Sequence, residues 1–355
     1  MTEHWAMPLI LCLAMLLMVG AGVAEPSEGG PAYGDPLYLP GADVAADPAV
    51  IKVGDTYYMY PTTTAVSIEC WSSANLEQWT YEGVVWGPSE PGAWNDADVW
   101  APDVFAYEGR YYLYYTANNR IGAAAADSPT GPFVDVYDHP FIGPGYGDTS
   151  FFTIDPHVFQ DDDGRLYIYC TFYAPFSGIR VAEMDDPVTV TGEWEYLLKT
   201  QIASWEGLVN EAPWMIKRNG VYYLMFSGNG ANLPLYAVGY ATSADPMGPF
   251  VKYEGNPILS VDWARDFYGP GHNSVSYGPG GEMLMFYHTK KSGSVAWERE
   301  IRINELAFDE DGDLYVVLFE NDDDDDQDDS DDEDEPYDYG SSQSDNEYDK
   351  GGCIG

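Results

Sequence analysis

Three carboxyl groups and one imidazole occupy related positions in widely separated parts of this sequence. Asp47 and Asp155 each begin an apolar segment that leads to an aromatic one, and His272 begins a later segment of the same kind. Glu211 precedes the equivalent Ala212 by one residue. Carboxyls that share a concave site disturb each other's pKa values, because like charges disfavour joint ionisation. One ionised carboxylate beside one protonated carboxylic acid is what glycoside hydrolysis requires.

A repeat predicts that these segments meet. The unit occurs five times. It begins with Asp or Ala followed by Pro in four copies and with His272-Asn273 in the fifth, and it continues with an apolar strand, a Gly turn and a second apolar or aromatic strand. Its second position falls at residues 48, 102, 156, 213 and 273, so the steps are 54, 54, 57 and 60 residues. A sustained period of this length is typical of small units that stack to bury a common core.

The repeat predicts an all-β protein, a five-bladed β-propeller with a central active-site pocket. Each unit offers about four strands, which is the content of one propeller blade, and no stretch has a convincing helical period. The first strands of the blades line the channel, so equivalent positions converge on one axis. A two-sheet sandwich is the alternative, but it does not predict an internal repeat of this length.

Several residues have structural interpretations beside the functional ones. Asp47-Pro48 alone is typical of turn chemistry, and its matched position in the repeat is what favours a catalytic role. Asp103 is expected to tether its blade, and Asn210 is a candidate to orient Glu211. Trp100 could be a stacking platform at the pocket wall or could pack against the next blade. Trp71, Trp79 and Trp194 are predicted to lie in the cores of the blades. Cys70 and Cys170 are predicted to be buried free thiols that are not joined by a disulfide.

The chain divides into four predicted segments. Residues 1–24 read as a signal peptide, because an apolar run from Met7 to Val19 precedes the small residues Gly22-Val23-Ala24. Residues 25–42 form a leader arm, residues 43–320 the propeller, and residues 321–355 an acidic disordered tail. This organisation predicts a secreted protein, extracellular or periplasmic. Attachment to the cell surface through the tail is an alternative, although no hydrophobic anchor follows it.

The charge of the chain bears on its partners. The formal net charge is −44 at pH 7 for 355 residues. Such an excess of acidic groups argues against nucleic acid and anionic membranes as partners. The apolar run near the N-terminus is too short for a comfortable span, so no membrane-spanning segment is expected in the mature chain.

The combined motifs resemble glycoside hydrolase family 43, from about Ala46 to Phe319. Each motif alone is weak, but the set is specific. The motifs are Asp47-Pro48-Ala49-Val50, Trp100-Ala101-Pro102-Asp103-Val104, Ile154-Asp155-Pro156, Glu211-Ala212-Pro213 and Gly271-His272. One departure is that many relatives have Gly where this chain has Ala212.

The resemblance implies an inverting glycosidase that acts on arabinose- or xylose-containing plant-type polysaccharides or oligosaccharides, such as hemicellulose or pectin side chains. It makes Asp47 the general base, Glu211 the general acid, and Asp155 the carboxylate that orients the acid and tunes its pKa. Arg299 matches a substrate-binding Arg. His272 matches a residue near the pocket floor that in some members helps to hold a metal ion. No cofactor is implied as a requirement, and one structural Ca²⁺ is the ion that the resemblance allows.

Two other functions stay open at this point. A retaining fructan-type furanosidase would use the same fold, but it needs an Asn-Asp-Pro-type motif where this chain has Ala46-Asp47-Pro48. A non-catalytic sugar-binding propeller would keep the aromatic residues and need not keep both Asp47 and Glu211.

Overall fold

The computed structural model describes residues 34–144, 147–148, 152–173 and 176–318. Across these ranges the chain forms strands and turns with no helix, and the strands build five antiparallel sheets arranged as a propeller. The all-β, five-bladed prediction is therefore confirmed. No helix long and apolar enough to cross a membrane occurs in the described ranges. The predicted signal peptide (1–24) and acidic tail (321–355) lie outside the described residues.

Each blade is formed by consecutive strands. Blade one contains β1 (Ala46–Val53), β2 (Thr56–Thr62), β3 (Ile68–Ser73) and β4 (Thr80–Trp86). Blade two contains β5 (Trp100–Tyr107), β6 (Arg110–Ala117), β7 (Arg120–Ala126) and β8 (Val134–Asp135). A small parallel pair, β9 (Gly143–Pro144) and β10 (Gly147–Asp148), follows blade two.

The remaining blades repeat this order. Blade three contains β11 (Phe152–Gln160), β12 (Leu166–Tyr173), β13 (Ser177–Asp186), β14 (Thr189–Val190) and β15 (Glu195–Lys199), the last two both pairing with β13. Blade four contains β16 (Asn210–Arg218), β17 (Val221–Gly228), β18 (Ala237–Ser243) and β19 (Val251–Lys252). Blade five contains β20 (Tyr268–Tyr277), β21 (Met283–Lys290), β22 (Arg299–Phe308) and β23 (Leu314–Val316).

Five hydrophobic clusters hold the ring together, one between each pair of neighbouring blades. The second strand of each blade contributes to the clusters on both of its sides, so its residues are buried on both faces. This explains why these strands read as continuous apolar and aromatic runs rather than as alternating ones. Cys70 and Cys170 are buried in two different clusters and are not joined by a disulfide, as the sequence predicted.

The ring closes between blade five and blade one without exchange of a strand. The cluster at this junction joins β1, β2 and β3 to β21 and β22, and it also includes Leu39 and Ala45, which precede β1. The Leu37 amide donates to the carbonyl of Ile301 at 2.7 Å, and the Ala45 amide donates to the carbonyl of Arg299 at 3.1 Å. The segment 37–45 thus lies along β22 and helps to close the ring.

The first strand of every blade contains a bulge at the repeat position identified from the sequence. The five equivalent residues all have φ between 46° and 57°, and the pairing register shifts directly after each: Asp47, Ala101, Asp155, Ala212 and His272. Left-handed backbone at a residue other than Gly costs about 1–2 kcal/mol. Such strain is typical of functional sites, where the surrounding structure maintains it.

A ring of hydrogen bonds maintains these bulges. The amide of each bulge residue donates to a side chain at the end of the preceding blade's second strand. In four blades that acceptor is a hydroxyl, and for Asp47 it is an imidazole: Thr62, Thr116, Thr171, Ser227 and His288. The junction between blades five and one therefore differs chemically from the other four.

Candidate active site

The five bulges open on one cavity of about 400 Å³. All six of the predicted site residues line it: Asp47, Trp100, Asp155, Glu211, His272 and Arg299. Further walls come from Val44, Thr62, Thr63, Thr64, Ala65, Ala101, Ile154, Ala231 and Trp297. Predicted site residues that are up to 252 positions apart in the chain thus lie in one cavity.

Asp47 lies among groups that favour its charged form. Arg299 Nη1 donates to Asp47 Oδ1 at 3.1 Å, and His272 Nδ1 lies 3.3 Å from the same oxygen. Burial alone would raise the pKa of Asp47, but Arg299, followed by His272, lowers it well below its usual range. Asp47 is therefore a carboxylate at neutral pH.

His288 is a site residue that the sequence analysis missed. It is fully buried, its Nδ1 accepts the Asp47 amide at 3.2 Å, and the same nitrogen lies 3.1 Å from Asp47 Oδ1. Burial, followed by the nearby charge of Arg299, lowers the pKa of His288 to about 3, so the imidazole is neutral. A signal was present in the repeat. His288 follows Gly281 by seven residues, as Thr116, Thr171 and Ser227 follow their hairpin glycines.

Glu211 lies in the opposite kind of environment. The hydroxyl of Tyr236 donates to Oε1 at 2.8 Å, and the hydroxyl of Tyr173 donates to Oε2 at 2.9 Å. Burial raises the pKa of Glu211 to about 7, against the lowering effect of the two tyrosines, and the charge of Asp47 adds to the rise. A glutamic acid with this pKa retains a proton in part of the molecules at neutral pH. Neither tyrosine was predicted from the sequence.

Asp155 is linked to Glu211 by a hydrogen bond to the next residue, Ala212, at the bulge of blade four. Its Oδ2 accepts the Ala212 amide at 3.0 Å and the Thr171 hydroxyl at 3.3 Å. Burial, followed by repulsion from Glu211 and Asp47, raises the pKa of Asp155 well above its usual range. The pKa values of Asp155 and Glu211 are both raised, so these two carboxyls together retain a proton more readily than Asp47 does.

The neighbours of Glu211 are compatible with a protonated carboxyl. The tyrosine hydroxyls around Glu211 can reverse and accept from a protonated carboxyl. The cavity can therefore present a carboxylic acid at Glu211 and a carboxylate at Asp47 to one bound molecule.

Two predictions about supporting residues had different outcomes. Asp103 does tether its blade, since its Oδ2 accepts the Val158 amide of the next blade at 2.9 Å. The suggestion that Asn210 orients Glu211 is wrong. Its side chain is buried with no hydrogen-bond partner among the described residues, and Tyr173 and Tyr236 hold the carboxyl instead. A residue adjacent in a strand points to the other face, so Asn210 was poorly placed for that role.

The tryptophans separate into core and cavity residues. Trp71, Trp79 and Trp194 all belong to clusters between blades, as predicted. Trp100 is half-buried and lines the cavity, so its position is compatible with stacking on a sugar.

His272 is the residue for which the resemblance implied a metal. Its pKa is lowered by burial, although Asp47 opposes the shift, so the imidazole is neutral and could coordinate an ion. However, no group of three or more His, Cys, Asp or Glu side chains arranged for a metal occurs in the described part of the chain. No chemical step is therefore assigned to an ion, and the Ca²⁺ near His272 stays a prediction.

The chain matches Glycosyl hydrolases family 43 over residues 41–314. It is 32% identical over 299 residues to a β-D-galactofuranosidase of Aspergillus niger, covering 77% of this chain and 82% of that protein. It is 28% identical over 342 residues to a β-xylosidase of Xylanibacter ruminicola, covering 79% of this chain and 98% of that protein.

Two further comparisons point to the same family. An extracellular endo-α-(1→5)-L-arabinanase of Thermotoga petrophila is 28% identical over 339 residues, covering 76% of this chain and 69% of that protein. The crystal structure of a thermostable family-43 glycoside hydrolase superimposes with a TM-score of 0.73 at 34% identity, covering 80% of this chain and 95% of that one. With its five blades and its cavity of carboxyl groups, this chain belongs to glycosyl hydrolase family 43 and is a glycosidase.

Proposed function

We propose that this protein is an inverting glycosidase with Asp47 as general base and Glu211 as general acid. The observation that carries the proposal is the opposite electrostatic environment of two carboxyls in one cavity. Cationic and imidazole neighbours lower the pKa of Asp47, whereas burial raises that of Glu211. Two carboxyls with pKa values pushed apart are the usual mark of an acid and base pair.

In the proposed reaction Glu211 donates its proton to the glycosidic oxygen as the bond to the anomeric carbon breaks. Asp47 accepts a proton from the water that attacks the opposite face of the sugar. Asp155 stabilises the oxocarbenium-like transition state and holds Glu211 through the Ala212 amide. Arg299 and His288 orient Asp47 toward the water.

The proposed substrates are arabinose- or xylose-containing glycans. Support comes from the activities named for the xylosidase and arabinanase relatives. The galactofuranosidase relative adds a third sugar to be tested. Hydrolysis of aryl arabinofuranosides, xylosides and galactofuranosides, with linear arabinan and arabinoxylan, would identify the substrate and separate exo from endo action.

Proton NMR of the first-formed sugar tests the mechanism. Inversion predicts that the product appears with the anomeric configuration opposite to that of the substrate. A product of retained configuration would contradict the role of Asp47 as base and would favour the fructan-type alternative with Asp47 as nucleophile.

We also propose that the protein is secreted after cleavage of residues 1–24. The proposal rests on the apolar run at the N-terminus and on the extracellular arabinanase relative. N-terminal sequencing of protein from the culture medium should begin at Glu25. Recovery of full-length chain from the cell interior alone would contradict it.

A further inference from the structure

An exposed indole lies at the mouth of the catalytic cavity. Trp297 lines the cavity together with the three carboxyls, yet its exposed fraction is 60%. Asp47, Asp155 and Glu211 are by contrast buried. A large aromatic side chain that borders a site and faces water is suited to stacking on a ligand.

Trp297 is linked to the general base through one side chain. The guanidinium carbon of Arg299 lies 5.5 Å from the centre of the Trp297 ring, which is within cation–π range. The same guanidinium donates to Asp47 Oδ1. Arg299 therefore contacts both the indole and the catalytic carboxylate.

Hydrogen bonds from Lys290 and Lys291 hold the loop that carries Trp297. Lys290 is 1% exposed, and its Nζ donates to the carbonyls of Ala296 and Ala231. Ala231 also lines the cavity, so one buried ammonium contacts two segments of its wall. The Lys291 amide also donates to the carbonyl of Glu298 at 3.0 Å, which closes the base of the loop. Little ordering of this loop is needed when a ligand binds.

We propose that Trp297 is the stacking platform for a second sugar, next to the one that lies over the three carboxyls. The proposal rests on the proposed function and makes the protein selective for oligosaccharides or polymers over single-sugar glycosides. The C–H face of a pyranose or furanose ring would pack on the exposed face of the indole. We expect this contact to strengthen binding roughly tenfold, which corresponds to about 1.4 kcal/mol.

Trp297 could instead only cover Arg299 and exclude water from its contact with Asp47. In that case its removal would weaken every substrate alike, because the base itself would be disturbed. A platform for a second sugar affects only those substrates that carry one. Substrates of different length therefore distinguish the two roles.

The test compares Trp297→Ala with the wild type on a trisaccharide and on a glycosyl fluoride of the same sugar. The fluoride leaving group is too small to stack on the indole. We expect the ratio of kcat/KM for the trisaccharide to that for the fluoride to fall roughly tenfold. Trp297→Phe should restore most of the ratio, because an aromatic face remains.

Trp263→Ala is the matched control. Trp263 is 59% exposed and packs edge-to-face on Tyr268, but it does not line the catalytic cavity. It should leave the ratio at the wild-type value. Equal losses on both substrates in Trp297→Ala, or no loss on either, would overturn the proposal.

A binding measurement separates this proposal from the proposed function. Trisaccharide affinity is measured by calorimetry in Glu211→Gln, with and without Trp297→Ala. A roughly tenfold weaker Kd in the double variant would support the platform even if no turnover substrate were found, and an unchanged Kd would overturn it. A wild type that hydrolyses no glycoside of the panel contradicts the proposed function instead.

Discussion

Asp47 lies at the bulge of blade one, Glu211 lies one residue before the bulge of blade four, and their neighbours give them opposite ionisation. Asp47 receives a guanidinium and two imidazoles from blade five, whereas Glu211 receives two tyrosine hydroxyls. Both carboxyls are buried, so burial alone does not separate them. The difference shows that the identity of the neighbours decides which carboxyl serves as base and which as acid.

Removal of either carboxyl should give the largest effect. Asp47→Asn and Glu211→Gln keep the size of the side chain and remove proton transfer, so we expect kcat to fall by about 10³–10⁴-fold in each. Steady-state kinetics on a natural-type oligosaccharide would measure this. Thr116→Ser, which retains a hydroxyl for the blade-three bulge, is the control for a change near the channel and should retain activity. Turnover within tenfold of wild type in either carboxyl variant would refute the role given to that residue.

Replacing His288 with the residue type found at the other junctions tests what makes Asp47 different. His288→Thr should still accept the Asp47 amide but lose the imidazole beside Oδ1. We expect kcat to fall about ten- to a hundredfold, since a small displacement of a catalytic group is costly.

The pH profile of His288→Thr gives independent evidence on how His288 acts on Asp47. The His288 imidazole is neutral and its Nδ1 accepts the Asp47 amide, so that nitrogen has no proton to donate to Oδ1. Arg299 is the largest cause of the lowered pKa of Asp47, and it remains in the variant. The acidic limb of kcat/KM should therefore stay at the wild-type pH while kcat falls. A normal kcat would mean that His288 only fills space, and an acidic limb at higher pH would mean that the imidazole donates to Asp47.

Tyr236→Phe tests the environment of the proposed general acid, Glu211. In the wild type the alkaline limb of kcat/KM should lie near pH 7, where Glu211 loses its proton. The Tyr236 hydroxyl lowers the pKa of Glu211, so its removal should move this limb to higher pH with only a few-fold change in the maximal rate. Tyr240→Phe removes a buried hydroxyl that contacts Asp313 and should leave the limb in place. A shift to lower pH in Tyr236→Phe would contradict the account.

The smallest effect is expected from chelation. His272 does not belong to a group of three or more His, Cys, Asp or Glu side chains arranged for a metal in the described ranges. The proposed acid and base act without an ion, so we expect EDTA to leave activity unchanged. A loss of activity that Ca²⁺ restores would show that an ion acts near the site after all.

The sequence predicted the ring and the three carboxyls for a physical reason. A repeat forces equivalent positions onto one axis, so Asp47 and Asp155 could be placed together without knowledge of any loop. Glu211 was found because it departs from the repeat by one residue. Aligning the second strands in the same way would also have predicted His288, the one imidazole among hydroxyls.

Other parts of the site could not be predicted in this way. Tyr236 and Trp297 lie in connections between strands, whose lengths and paths differ from blade to blade. Asn210 was misjudged because adjacency in a strand places a side chain on the other face. The bulges themselves were also missed, since Asp47-Pro48 alone reads as a turn.

The dependence of the rate on the leaving group tests the central claim most directly. A glycoside with a good leaving group, such as dinitrophenol, needs little protonation, whereas an alkyl or sugar leaving group needs a general acid. Glu211→Gln should therefore lose far less kcat/KM on the dinitrophenyl glycoside than on the oligosaccharide, and Asp47→Asn should lose about the same on both. Equal losses on the two substrates in Glu211→Gln, or a leaving-group dependence in Asp47→Asn, would contradict the assignment of acid and base.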